Sequence, residues 1–179
     1  MMRLFTGLEV PADISLDLNF MQSGVPGARW IDRESMHITL RFIGDIDDAT
    51  GRDVALALDE ADIRPFAIAI KGIDVFGGNK PHAIIAQIEE NAELRRLQAA
   101  QERICQELGL APEGRKFIPH ITLARLRDPD PLALRIFIES HALYRSRRFD
   151  VSRFVLFSSK PSRGGGPYAI EEAYEVAYA

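Results

Sequence analysis

The sequence predicts an α+β domain with internal pseudo-symmetry, and three observations carry that expectation. About seven or eight strand-like segments alternate with four helical ones. The tetrapeptide His-Ile-Thr-Leu occurs twice, at 37–40 and at 120–123, a coincidence expected with a probability on the order of 10⁻³ at average residue usage. The elements around the two copies also follow a similar order.

Residues 2–10 read as a strand, with Leu4, Thr6, Leu8 and Val10 on one face and Arg3, Phe5, Gly7 and Glu9 on the other. Pro11 ends it. Pro11 to Met21 carries two signals, because Ile14, Leu16, Leu18 and Phe20 alternate as in a strand while Pro11 and Asp13 mark a helix start. A loop over 23–27 leads to Arg29 and Trp30, the only tryptophan, which suits hydrophobic anchoring, with stacking on a nucleobase as the alternative. The first motif strand runs from about Met36 to Ile43. Asp47 or Asp48 caps a helix reaching Ala61, with Val54, Ala57, Leu58 and Ala61 on its inner stripe. Phe66 to Val75 is a strand broken by Gly72, and His82 to Glu89 is another with His82 at its surface end. Asn91 caps a helix to Leu108, with Leu94, Leu97, Ile104 and Leu108 inward, Cys105 beside them as a small core residue, and Gly109 as the stop. Pro119 leads into the second motif strand. The helix after Asp128-Pro129-Asp130-Pro131 carries Leu132, Ile136 and Phe137 and ends near an exposed His141, where a cation suits the dipole. Strands over 149–157 and 168–178 close the fold. Between them Ser162–Gly166 reads as a hairpin tip, since it lacks the strand-to-helix setting of a phosphate-binding loop.

A chain of 179 residues with 46% apolar content is one domain's worth of core. The single cysteine excludes an internal disulfide and fits a reducing, cytoplasmic setting, and the N-terminal residues do not read as a signal peptide. No membrane span is expected, since no apolar run is long enough. A net charge of −4 argues against a broad nucleic-acid-coating surface and leaves room for a small site that binds an RNA end. Arg145, Arg147, Arg148, Arg153, Lys160 and Arg163 form a local basic cluster, equally readable as a solvated face.

The motif residues point to chemistry. Ile-Thr-Leu is strand-forming, and period two puts His37 with Thr39, and His120 with Thr122, on one face each. Two imidazoles titrating near neutrality can divide proton transfer, one accepting from a nucleophile and one donating to a leaving oxygen. Two hydroxyls can hold a tetrahedral anion. By the same parity Arg41 falls beside His37 as a rim cation, whereas Arg125, one residue further on in its own copy, should face away from His120. Neither His-x-Thr has a second ligand at a metal-like interval, so no metal is expected.

These motifs, together with Arg3-Leu4-Phe5, Leu8-Glu9-Val10-Pro11, Arg29-Trp30, Met36–Gly44, Pro119–Arg125, Leu156–Ser159 and Gly165–Tyr168, resemble the two-histidine phosphoesterase superfamily. Within it the chain is most similar to the bacterial and archaeal RNA 2′,3′-cyclic phosphodiesterases, also called 2′-5′ RNA ligases. The resemblance implies a helix over Pro11–Met21. It also implies one bilobal, pseudo-two-fold domain over residues 1–179, with interleaved lobes and two antiparallel sheets facing a central cleft, helices outside. The implied substrates are RNA ends or nucleotides carrying a 2′,3′-cyclic phosphate, hydrolysed to a 2′-phosphate, with 2′-5′ RNA ligation as the reverse. His37 is then the proton donor and His120 the proton acceptor, and Thr39, Thr122 and Arg125 hold the phosphate, with Arg41 added to them by the parity of its strand. A monomer that uses no cofactor is expected. Two alternatives stay open: a phosphodiesterase acting on another cyclic phosphate, such as a cyclic nucleotide or an ADP-ribose cyclic phosphate, and a non-catalytic module that binds nucleotides or RNA ends.

Overall fold

The computed structural model describes residues 2–159 and 167–176. The elements are β1 (Met2–Glu9), α1 (Ala12–Met21), β2 (Ala28–Trp30), a 3-10 turn (Arg33–Ser35), β3 (His37–Ile46), α2 (Asp48–Ala57) with a 3-10 extension (Leu58–Glu60), β4 (Phe66–Ile68), β5 (Ile70–Phe76), β6 (Ala83–Ile88), α3 (Ala92–Glu107), β7 (His120–Leu126), α4 (Pro131–His141), β8 (Phe149–Val151), β9 (Arg153–Ser159) and β10 (Tyr168–Glu175).

Local chemistry explains where the helices begin. In α2, α3 and α4 a short polar side chain accepts a hydrogen bond from the backbone amide three residues on: Asp47 from Thr50 at 2.7 Å, Asn91 from Leu94 at 3.0 Å and Asp130 from Ala133 at 2.8 Å. The 11–21 segment is helical because its buried residues, Ile14, Ser15 and Leu18, follow the helical period, while Phe20 is left outside.

The described strand pairs are antiparallel, and those of the main eight-stranded sheet form two halves. One half has the order β10-β9-β1-β3, and the other is β7-β6-β5 with β2 added to β7. They meet at one residue pair, Ile38 opposite Ile121. From that pair β3 and β7 splay apart, leaving a cleft with one motif on each side. Helices α2, α3 and α4 lie against β1, β3 and β5. The core between helices and strands is built from the back faces, including Leu4, Leu8, Ile38, Ile84, Leu94, Ile121 and Leu123. No helix among the described residues is long and apolar enough to cross a membrane.

Several local expectations are corrected. The 66–75 strand breaks at Ala69, where β4 leaves to pair with β8 in a separate two-stranded sheet, while Gly72 (φ 95°) sits at a register shift inside β5. The 149–157 strand is likewise two elements, split at Ser152. Leu108 is at the surface, and α3 buries Gln101 in the stripe instead. In α4 it is Leu134 and Phe137 that pack inward, leaving Leu132 and Ile136 more than half exposed, and His141 is half-buried against Phe137. Ser162–Gly166, Lys160 and Arg163 lie outside the described residues.

Because Ile38 is fully buried at the pair that joins the halves, Ile38→Ala is expected to cost about 2–5 kcal/mol. Urea unfolding should report this as a lower midpoint with an unchanged slope.

Candidate active site

Both motif strands carry the same irregularity. Along β3 and β1, Arg41 pairs with Thr6 and Thr39 with Gly7, so Leu40 has no partner. Along β7 and β6, Ala124 pairs with Ile84 and Thr122 with Ile85, so Leu123 has none. Each is a β-bulge at the leucine of His-Ile-Thr-Leu, and one extra residue reverses the alternation beyond it. His and Thr therefore face the cleft, the next two residues turn to the back, and the fifth residue after each histidine returns to the front. In β7 that residue is Arg125, which lines the cleft. In β3 it is Phe42, 45% exposed.

The bulge corrects the expectation for Arg41. Its guanidinium is buried behind β3, 5% exposed, paired with Glu102 of α3 and donating to the carbonyls of Phe42 at 2.5 Å and Ala111 at 2.6 Å. It does not line the cleft and cannot hold a phosphate there.

The two imidazoles are oriented alike. His37 Nδ1 lies 2.8 Å from the Ser35 carbonyl and His120 Nδ1 lies 2.7 Å from the Ile118 carbonyl. A carbonyl only accepts, so Nδ1 carries the proton in each ring and Nε2 is the atom left for chemistry. His37 Nε2 lies 3.0 Å from Thr39 Oγ1, which donates to it when the ring is neutral. The carbonyls come from chain already fixed: Ser35 ends the 3-10 turn, and Ile118 precedes Pro119, which favours an extended residue before it.

Aromatic rings hold the imidazoles in place. Phe5 stacks obliquely on His37 at 4.9 Å, and Tyr168 meets its edge at 5.1 Å. Phe76 meets His120 edge-on at 4.8 Å. Burial lowers the His37 pKa below the ordinary imidazole value; the Ser35 carbonyl opposes this, and the positive charges of His120 and Arg125 lower it further. Burial likewise lowers that of His120, opposed by the Ile118 carbonyl.

The cleft has a volume of about 480 Å³, and its wall includes His37, Thr39, Thr122 and Arg125, with Arg3, Arg29, Phe5 and Tyr168 around them. His120, at the start of β7, is not one of these wall residues, but its charge acts on His37. Among the described residues no carboxylate belongs to that wall and Arg125 makes no ion pair, so the space favours an anion. Among residues weighed as sequence candidates, Trp30 is an anchor packed on Phe137 at 5.4 Å, and His82 is exposed outside the wall. Of the basic cluster, Arg147 pairs with Asp13, Arg148 with Glu89 and Arg153 with Glu9, which makes them a solvated, ion-paired face.

Sequence reasoning gave no role to Phe42, Tyr168 or Gly7. Gly7 is required by close approach: a Cβ there would lie 2.8 Å from the Ile38 carbonyl oxygen, 3.3 Å from Phe157 Cε2 and 3.6 Å from His37 Cδ2. A lone glycine inside a strand pattern is the signal that marks such a position.

Known proteins resemble this chain in sequence and in fold. An RNA 2′,3′-cyclic phosphodiesterase of Aquifex aeolicus is 28% identical over 151 residues, 82% of this chain and 80% of that protein. One of Methanocaldococcus jannaschii is 26% identical over 172 residues, 94% of this chain and 98% of that protein. One of Bacillus subtilis is 31% identical over 127 residues, covering 68% and 69%. Among solved structures, TT0787 of Thermus thermophilus superposes with a TM-score of 0.81 at 24% identity over 98% of both chains. Escherichia coli LigT complexed with 3′-AMP gives 0.78 at 20% identity over 99% of both. The sequence profile of the 2′-5′ RNA ligase superfamily matches residues 17–163, and this chain belongs to that superfamily.

Proposed function

We propose that the protein hydrolyses the 2′,3′-cyclic phosphate of an RNA end or nucleotide to a 2′-phosphate. The observation that carries this reading is the pair of imidazoles, each with Nδ1 fixed by the carbonyl two residues earlier and each two residues before a threonine that lines one anion-favouring cleft. Binding alone needs donors; it does not need two rings held in the tautomer that leaves Nε2 for proton transfer. The curated relatives named above carry this activity in their names.

His120 Nε2 takes a proton from water as the water oxygen bonds to phosphorus. The P–O3′ bond breaks, and protonated His37 donates from Nε2 to the leaving O3′. The product is a 2′-phosphate with a 3′-hydroxyl. A 5′-hydroxyl in the place of water would give a 2′-5′ linkage by the same steps. Thr39, Thr122 and Arg125 hold the non-bridging oxygens, and Arg125 offsets the charge that develops on them. Phe42, exposed at the cleft wall, offers a face on which a nucleobase can stack. The wall residues, guanidiniums and hydroxyls without carboxylates, suit an anion and are a poor donor set for a divalent cation.

A short RNA ending in a 2′,3′-cyclic phosphate should be turned over to a 2′-phosphate, and His37→Ala or His120→Ala should each lower kcat by about 10²-fold or more. One imidazole must be protonated and the other neutral, and both pKa values lie below the ordinary 6.5. The optimum of a bell-shaped kcat/KM profile falls midway between the two, so it should lie below pH 6.5. Tight nucleotide binding without turnover by the wild type would replace the enzyme by a binding module.

Chelation gives a separate expectation. Turnover in EDTA should equal that without it; activity lost in EDTA and restored by a divalent metal overturns the metal-independent scheme.

Because a Cβ at position 7 presses on the β3 backbone between His37 and Thr39, Gly7→Ala should lower kcat about tenfold or more while circular dichroism shows the fold kept.

A further inference from the structure

The residue expected at the phosphate and found behind the sheet sits at a junction of three segments. Arg41 occupies the back-facing position immediately after the Leu40 bulge. Its own amide donates to Thr6 Oγ1 at 3.1 Å, and Thr6 in turn donates to Gln101 of α3 at 2.5 Å. Its guanidinium divides its donors between the Phe42 carbonyl, the Glu102 carboxylate and the Ala111 carbonyl. Glu102 continues outward: its Oε1 accepts from the Glu113 amide at 2.8 Å and from Gln106 at 2.9 Å. Residues 111–116 lie between α3 and β7 with no regular structure, and most are exposed. They lead to Ile118, whose carbonyl orients His120.

We propose that Arg41 is a positioning residue for both halves of the site, with Glu102 as its relay. Through the Phe42 carbonyl its guanidinium fixes the bulge that presents Thr39 and Phe42 to the cleft, where the backbone amide of position 41 is held by Thr6. Through Ala111, and through Glu102 to Glu113, it fixes the segment that delivers Ile118 and His120. A buried guanidinium suits this task because its planar fork serves several acceptors at fixed angles, which an ammonium group cannot do. The inference rests on the cyclic phosphodiesterase reading for its kinetic test and on geometry alone for the rest.

The experiment compares wild type with Arg41→Met, Arg41→Lys, Glu102→Gln, Phe42→Ala and Arg41→Met/Phe42→Ala. All are assayed on an RNA 2′,3′-cyclic phosphate well below their unfolding temperatures, with the folded fraction set by circular dichroism. Arg41→Met should lower kcat/KM by about 10²-fold, through both a raised KM and a lowered kcat. Arg41→Lys should recover part of it. Glu102→Gln keeps the bond to the Phe42 carbonyl, so it should lower kcat with KM nearly unchanged. In the double variant the KM effects should fall short of multiplying, because Arg41 acts on KM through Phe42. Should Arg41→Met fail to fold, Arg41→Lys and Glu102→Gln carry the same kcat-against-KM test. A folded Arg41 variant with wild-type kcat and KM, or KM effects that multiply, overturns the proposal and leaves Arg41 a stability residue. Hydrogen exchange separates this from the function reading. If wild type turns over no cyclic phosphate, faster exchange at the Arg41 and Glu113 amides and shifted His120 ring resonances in Arg41→Lys still uphold the positioning role, and unchanged values overturn it.

Discussion

The site depends on a displaced register. A regular strand offers a cleft every second residue, so a motif of four could present its histidine and threonine and, by the same alternation, the residue after the leucine. The bulges at Leu40 and Leu123 replace that third position with the one after it. A bulge also bends its strand and increases its twist, which fits two strands that touch at Ile38 and Ile121 and diverge from there. The bend that opens the cleft and the shift that populates it come from the same extra residue.

The imidazoles are held by complementary means on their two sides. A backbone carbonyl fixes each Nδ1, and rings of Phe5, Tyr168 and Phe76 fix the plane while excluding water. The exclusion has an electrostatic consequence, since it disfavours the charged ring and lowers both pKa values. A neutral ring is ready to accept a proton, so the lowering suits a base and works against an acid. In the proposed reaction a bound phosphate monoanion opposes it, because a negative charge in the cleft favours a protonated ring beside it.

Much of this was legible in the sequence, for reasons that particular residues show. His37, Thr39, His120 and Thr122 span three positions within one strand, where alternation needs no knowledge of the neighbours. Asp47, Asn91 and Asp130 announce helix starts because a cap acts within one turn. Arg41 and Arg125 were misjudged by alternation because a bulge depends on the partner strand, and nothing within β3 or β7 alone specifies that β1 or β6 will skip a residue. The break at Ala69 has the same origin: Phe66–Ile68 and Ile70–Phe76 read as one strand and separate only because β8 and β6 lie in different sheets. The outward Leu132 and Ile136 follow from which face of α4 meets β5, a fact of tertiary packing that a pattern with apolar residues on two faces leaves open.

The two halves are near-copies in their catalytic atoms and differ at the fifth residue after each histidine, and that difference gives the cleft a direction. Two equivalent imidazoles and two equivalent hydroxyls would bind a cyclic phosphate in either of two orientations, only one of which sets the P–O3′ bond before the donor. Arg125 concentrates positive charge on the β7 side, whereas Phe42 makes the β3 side an apolar face. An anionic phosphate with a base attached is itself polar at one end and aromatic at the other, so the orientation that matches charge to guanidinium and ring to ring is favoured on both counts. In the proposed reaction that orientation turns the ribose, with its leaving oxygen, toward His37. On the proposed reading a duplicated scaffold supplies the acid-base pair, and the unlike side chains Arg125 and Phe42 at equivalent positions give the cleft its direction.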